Sequence, residues 1–151
     1  MKIIKLPWRQ MEKLTTHLAE KIHKRYSVII GLNRGGLVPS VLLSHITKTK
    51  HGVVSIESYQ GRKKTSKHKL DYHVSMIGKL NPKTKVLMVD DISDTGESLK
   101  KIIQVMKKLG CDPKNIDTAT LYYKSKSCFV PTYYAKHTSD SDWIEFPWQR
   151  P

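Results

Sequence analysis

The sequence is short of acid. Thirteen Asp and Glu stand against 27 Lys and Arg, giving a formal net charge of +14 over 151 residues. That balance disfavours a cationic partner and points to anions, either nucleic acid or a phosphorylated small molecule, with a well-solvated basic surface as the plain alternative. Cysteine is scarce too. Cys111 and Cys128 have no paired spacing, so a disulfide framework is not expected and a reducing compartment fits. The seven histidines are scattered. None pairs with another at zinc-ligand spacing, and His45 and His51 read as flanking a turn. Long apolar runs are missing. "MKIIKLPWRQ" lacks the apolar stretch of a signal peptide, and nothing later is long enough to span a membrane. The expectation is a cytoplasmic domain with no integral membrane segment. With no internal repeat and no linker, residues 1–151 are read as one domain with one core.

What is present is an alternation of short apolar runs and helical stripes. Residues 8–25 read as a helix, with Met11, Leu14, Leu18, Ala19 and Ile22 on one face. "SVIIGL" (27–32) has the continuous apolar character of a strand buried on both faces. "NRGG" breaks it, and a helix follows with Pro39 at its first position and Val41, Leu42 and Ile46 as its stripe. "GVVSIES" (52–58) and "KVLMVDD" (85–91) read as strands, and residues 60–69 as a polar, mobile loop. Ser98 to Leu109 reads as a helix with Leu99, Ile102, Ile103, Met106 and Leu109 inward and Gly110 as a left-handed cap. Residues 116–123 and 132–138 read as further strands, and the tail "DSDWIEFPWQRP" as aromatic and irregular. Strands alternating with helices predict an open, mainly parallel α/β sheet, whose ligands bind beyond the carboxyl ends of the strands.

Two of those strand ends carry chemistry. After Val89 come Asp90 and Asp91, then Asp94 and a Thr95-Gly96 turn opening a helix. Two adjacent carboxylates need partners if buried. They suit Mg²⁺, directly or through water, or sugar hydroxyls. The backbone of the turn, with the hydroxyls of Thr95 and Ser98, makes an anion cradle. A helix cap with a solvated acidic turn is the plain alternative. After Leu32, Arg34 adds a fixed cation, and Gly35 and Gly36 can present backbone N–H groups. The basic stretch 61–69, with Arg62, Lys63, Lys64, Lys67 and Lys69, suits a nucleic-acid arm, a solvated loop or a lid. Lys124 ends a strand and Trp143 lies in the tail. An ammonium can donate to an exocyclic carbonyl, and an indole can stack on a purine.

"VLMVDDISDTGESL" resembles the phosphoribosyl pyrophosphate (PRPP) signature of the type I phosphoribosyltransferases: apolar residues, two acids, a short spacer, then a Thr-Gly-x-Ser loop. The Arg-Gly-Gly loop, Lys124 and the "WIEFPW" segment are similar to the xanthine-guanine members, and the likeness spans nearly the whole chain. The resemblance implies the type I fold: a mainly parallel sheet of about five strands flanked by helices, with a lid near residues 59–72 and a small C-terminal hood near 124–151. It implies that Asp90 and Asp91 hold the ribose hydroxyls with Mg²⁺ nearby. Ile92, Ser93, Asp94, Thr95, Gly96, Glu97 and Ser98 would complete the PRPP site, with residues 94–98 gripping the 5′-phosphate. Glu97 departs from the small residue many members carry. Arg34, Gly35 and Gly36 would meet pyrophosphate, with a non-proline cis peptide between Asn33 and Gly35, and Lys67 or Lys69 would reach it from the lid. Asp94 would be the general base near the purine N7, assisted by Arg34 and Lys69. Lys124 would read the purine O6, Trp143 would stack on the ring, and the Ile144 backbone would contact the 2-position.

The implied activity is transfer of the phosphoribosyl group of PRPP to N9 of guanine, xanthine or hypoxanthine, giving a nucleoside 5′-monophosphate and pyrophosphate in purine salvage. The implied partners are PRPP and a 6-oxopurine, in a homodimer or homotetramer, with no nucleic acid expected. The alternatives are a transferase for another base, or a non-catalytic regulatory or RNA-binding protein on the same fold.

Overall fold

The computed structural model describes residues 1–59 and 69–150. The chain runs β1 (Ile3–Lys5), α1 (Trp8–Lys21), β2 (Val28–Leu32), α2 (Leu37–Thr47), β3 (Lys50–Tyr59), β4 (Lys69–Ser75), β5 (Val86–Ser93), α3 (Glu97–Lys108), β6 (Ile116–Lys124), β7 (Tyr133–Thr138) and β8 (Trp143–Glu145). Six strands form one sheet in the order β4-β3-β2-β5-β6-β7, and β1 and β8 form a separate pair. Five strands of the large sheet are mutually parallel, and β4 is added antiparallel at the β3 edge.

The continuous apolar runs of β2 and β5 follow from burial on both faces. Successive side chains of a strand point to opposite sides. Ile29, Leu87 and Val89 join Met11 and Leu18 of α1 and Leu43 of α2 in one core layer. Val28, Ile30, Val86 and Met88 join Leu99, Ile102, Val105 and Met106 of α3 in the other. The hood belongs to the first layer through Leu6, Ile144 and Phe146.

Four details differ from the sequence reading. The first helix ends at Lys21 rather than 25, because Ile22 is extended. The segment beyond it instead carries Tyr26 inward, where its hydroxyl donates to Asp117 Oδ2 (2.6 Å) and lies 3.2 Å from the Tyr133 hydroxyl. Pro39 is the third residue of α2, not the first. That is tolerated because the first turn of a helix has no intrahelical partner for its N–H groups. The tail is not wholly irregular, since Ile3, Ile4 and Lys5 pair with Trp143, Ile144 and Glu145. The expected lid at 59–72 begins and ends in strand: Tyr59 pairs with Lys69. Its remainder, including Lys67, lies outside the described residues.

Candidate active site

The site forms where β2, β5 and β6 end side by side. β5 lies between the other two in parallel register, Gly31 opposite Val89 and Asp90 opposite Thr120. A hollow of about 220 Å³ at this edge is lined by Asp90 through Gly96, Ser98 and Leu99. Larger hollows of about 320 and 580 Å³ lie at the opposite, amino edge. Size alone does not mark the site; the convergent carboxylates and backbone turns do.

Strand alternation turns Asp90 toward the α3 layer and Asp91 toward the α2 layer. Burial pushes the Asp90 carboxyl well above the usual range, and the neighbouring Asp91 charge adds to it. Burial also raises Asp91, to about 6, against opposition from backbone and Asp90 hydrogen bonds. The Asp91 N–H donates to Asp90 Oδ1 (2.9 Å). Among the described residues no Lys or Arg pairs with either acid. These are two desolvated, hard oxygen donors left short of positive charge, a donor set that fits Mg²⁺ with retained waters. No group of three or more His, Cys, Asp or Glu converges among the described residues, so protein ligands beyond this pair would not be supplied by such a cluster.

The second loop meets the first at this pair. A Cβ placed on Gly35 would lie 2.2 Å from Asp91 Oδ2, so only glycine lets the 33–36 loop rest against that carboxylate. The Asn33–Arg34 peptide is cis, within the span where the resemblance placed one. Arg34 is exposed. Gly36 differs from expectation: its N–H is donated to the Leu32 carbonyl (2.9 Å) and is not presented to a ligand.

The turn after β5 is held from behind by residues 127–129. Gly96 has φ 83°, and a Cβ there would lie 2.5 Å from Ser127 Oγ. The Cys128 N–H donates to the Thr95 carbonyl (2.8 Å). Ser93, expected within the PRPP site, turns its hydroxyl inward. Its hydroxyl lies 2.8 Å from Ser127 Oγ and donates to the Phe129 carbonyl at 3.0 Å. Glu97 sits on the outside of the first turn of α3 and accepts from Cys128 Sγ (3.3 Å). Thr95 and Ser98 remain exposed at the mouth.

Asp94 carries the strongest charge contacts. Lys124, with a side chain 4% exposed at the end of β6, places its Nζ 3.3 Å from Asp94 Oδ1. Lys126, absent from the sequence-derived residues, places its Nζ 2.9 Å from the same oxygen. Both ammonium groups thus sit within ion-pair distance of one carboxylate oxygen. Burial raises the Asp94 carboxyl, but the two lysines together outweigh it and hold it below the ordinary range. A Lys-x-Lys pair leaving a strand was the available signal for Lys126.

Trp143 is exposed on β8 and makes no ring contact among the described residues. Ile144 buries its side chain, so its main chain is the part available to a ligand. Phe146 anchors the hood, with its ring 6.0 Å from that of Tyr122 and stacked on Trp148 at 4.9 Å. The side chain of Lys69 lies outside the described residues.

In open α/β sheets of this kind ligands bind beyond the carboxyl ends of the strands, where the acids and glycine turns lie here. Residues 6–151 match the phosphoribosyl transferase domain family, and the chain belongs to it: this is an enzyme of the phosphoribosyltransferase class. The chain is 27% identical to a curated xanthine-guanine phosphoribosyltransferase of Nitratidesulfovibrio vulgaris, covering 97% of this chain and 85% of that one. A crystal structure of a purine phosphoribosyltransferase from Pyrococcus horikoshii is 38% identical, with a TM-score of 0.83 over 99% of this chain and 96% of that one. A xanthine-guanine-hypoxanthine phosphoribosyltransferase of Helicobacter pylori shares the fold, with a TM-score of 0.73 at 21% identity, covering 97% of this chain and 94% of that one.

Proposed function

We propose that the protein transfers the phosphoribosyl group of PRPP to N9 of a 6-oxopurine, releasing pyrophosphate. The observation that carries this reading is the pairing of Asp94 with Lys124 beside the Asp90–Asp91 strand end. On this reading the pair is a proton acceptor and a carbonyl-reading cation beside the sugar and metal ligands, and the ion pair supports it. In the reaction the C1–O bond to pyrophosphate breaks, the N9–C1 bond forms, and the N7 proton passes to Asp94. The transition state has oxocarbenium character, so positioning and charge stabilisation dominate. Asp90 and Asp91 accept from the ribose hydroxyls and would hold Mg²⁺. The metal would supply charge neutralisation for the pyrophosphate. The N–H groups of the 94–98 turn and the hydroxyls of Thr95 and Ser98 take the 5′-phosphate. Arg34, together with Lys67 or Lys69, answers the leaving pyrophosphate, and the 33–36 loop lies against it. Lys124 donates to O6, Trp143 covers the ring, and the Ile144 main chain meets the 2-position. Ser93 and Gly36 support these loops from behind.

The test is pyrophosphate release with PRPP, Mg²⁺ and, separately, guanine, xanthine, hypoxanthine, adenine, uracil and orotate. Turnover confined to the 6-oxopurines is expected. Turnover with uracil or orotate alone moves the assignment to another base. No turnover at all, with salt-dependent and sequence-selective RNA binding, replaces it with a non-catalytic role.

A further inference from the structure

The corner around Asp94 holds one cation more than base recognition at O6 needs. Lys124 is buried, and Asp94 is its one ion-pair partner among the described residues. Lys126 arrives by a different route. Residues 124–127 form a tight turn closed by the Ser127 N–H on the Lys124 carbonyl (3.0 Å). The Lys126 N–H is pinned by Asp140 Oδ1 (2.9 Å). The turn therefore directs both ammonium groups onto one carboxylate oxygen. Among the described residues Asp94 is the one carboxylate within ion-pair distance of either ammonium; Glu97, Asp140 and Asp142 accept from Cys128, the Lys126 N–H and Thr138. His137 faces Ser125 at 2.7 Å. Asp90 and Asp91 lie deeper in the crevice.

We infer that Lys126 is a specificity-determining residue: with Lys124 it leaves one positive charge in surplus at the base end of the crevice, which selects the 6-oxopurine that binds as an anion, xanthine, over hypoxanthine and guanine. The inference rests on the proposed phosphoribosyl transfer and deepens it. Xanthine, with carbonyls at C2 and C6, gives up a ring proton more readily than the other two. A surplus cation attracts that anion, and the side chain of Lys126, 45% exposed, is free to swing from Asp94 to a bound base.

The experiment is kcat/KM for xanthine, guanine and hypoxanthine with PRPP and Mg²⁺ across the pH range in which xanthine ionises, for the natural protein, Lys126→Met and Lys126→Arg. The xanthine-to-hypoxanthine ratio is expected to climb with pH in the natural protein. Lys126→Met should lower that ratio by about fivefold, the scale of one half-exposed ion-pair partner, and flatten its climb, while Lys126→Arg keeps both. An unchanged ratio in a Lys126→Met protein of normal Tm, or an equal loss for all three bases, overturns the inference and leaves phosphoribosyl transfer standing. If Lys126→Met does not fold, the natural protein decides alone, since a ratio that is flat with pH also overturns it. No turnover of any 6-oxopurine removes the inference and the proposed function together.

Discussion

The two edges of the parallel sheet treat charge in opposite ways. At the carboxyl edge, Asp94 is matched by two lysines, and burial raises the Asp90 and Asp91 carboxyls, which have no Lys or Arg partner among the described residues. At the amino edge the segments leading into the strands carry Lys24, Arg25, Lys48, Lys50, Lys83, Lys85 and Lys114. Asp117 answers Lys24 (3.2 Å) and the Tyr26 hydroxyl. Arg25, Lys85 and Lys114 have no acid partner among the described residues. The basic surplus is therefore not mainly a property of the site. Position in the fold, rather than residue type, separates chemistry from surface: the same side chain is buried on Asp94 as Lys124 and solvated at the other pole as Lys114.

The largest expected effect strikes the carboxyl edge at its centre. Asp94→Asn keeps the shape but loses the proton acceptor, so turnover should fall about a thousandfold while PRPP binding by calorimetry largely survives. Unchanged turnover would reduce Asp94 to a structural counter-ion for its lysines. Gly35→Ala comes next. Its Cβ would press on Asp91 Oδ2 at 2.2 Å, so the loop and carboxylate must separate. A displacement on the ångström scale costs about a hundredfold in kcat/KM. A variant with full activity would show that the two loops need not touch.

Those two predictions fall on the part of the molecule most legible in the sequence. Asp90 through Ser98 are contiguous, so one strand end and one turn disclose the acids and the cradle together. β2 and β5 were legible for a related reason, since their unbroken apolar runs are the signature of two cores meeting on one strand. Contacts made at long range were not legible. β1 and β8 have three residues each and pair across almost the whole chain. β4 borders a polar stretch and reads as loop until its antiparallel register with β3 is seen. Ser93 entered the PRPP site through the resemblance of the whole motif. Its inward turn depends on Ser127 and Phe129, more than thirty residues away. Lys126 was hidden because its reach to Asp94 depends on a turn held by Asp140.

A smaller effect separates the edges by pH. The folded state raises Asp91 from 3.8 to about 6, so it favours the protonated carboxyl. That contribution is fully present below about pH 3.8 and is lost as the pH climbs through 6. Asp90 is shifted in the same direction. Asp91→Asn removes this titration, so between pH 4.5 and 7.5 the natural protein should lose Tm relative to the variant, and activity should be lost in exchange. Parallel Tm curves would mean that Asp91 ionises without cost in the folded protein.

The smallest effect belongs to the amino edge, where cations repel without partners. Screening reaches about 10 Å at 0.1 M salt, so added NaCl should relieve that repulsion and raise Tm. Lys114→Gln should mimic part of the relief, with a stability gain within about 0.5 kcal/mol and no change in turnover, because the residue lies at the opposite end of the strands. A matching change at Lys124 should do the reverse: removing the buried partner of Asp94 lowers turnover, and salt does not compensate. If Lys114→Gln instead destabilises the protein by denaturant titration, the amino-edge cations are held by contacts that offset their repulsion, and the contrast between the two edges is one of ligand chemistry alone.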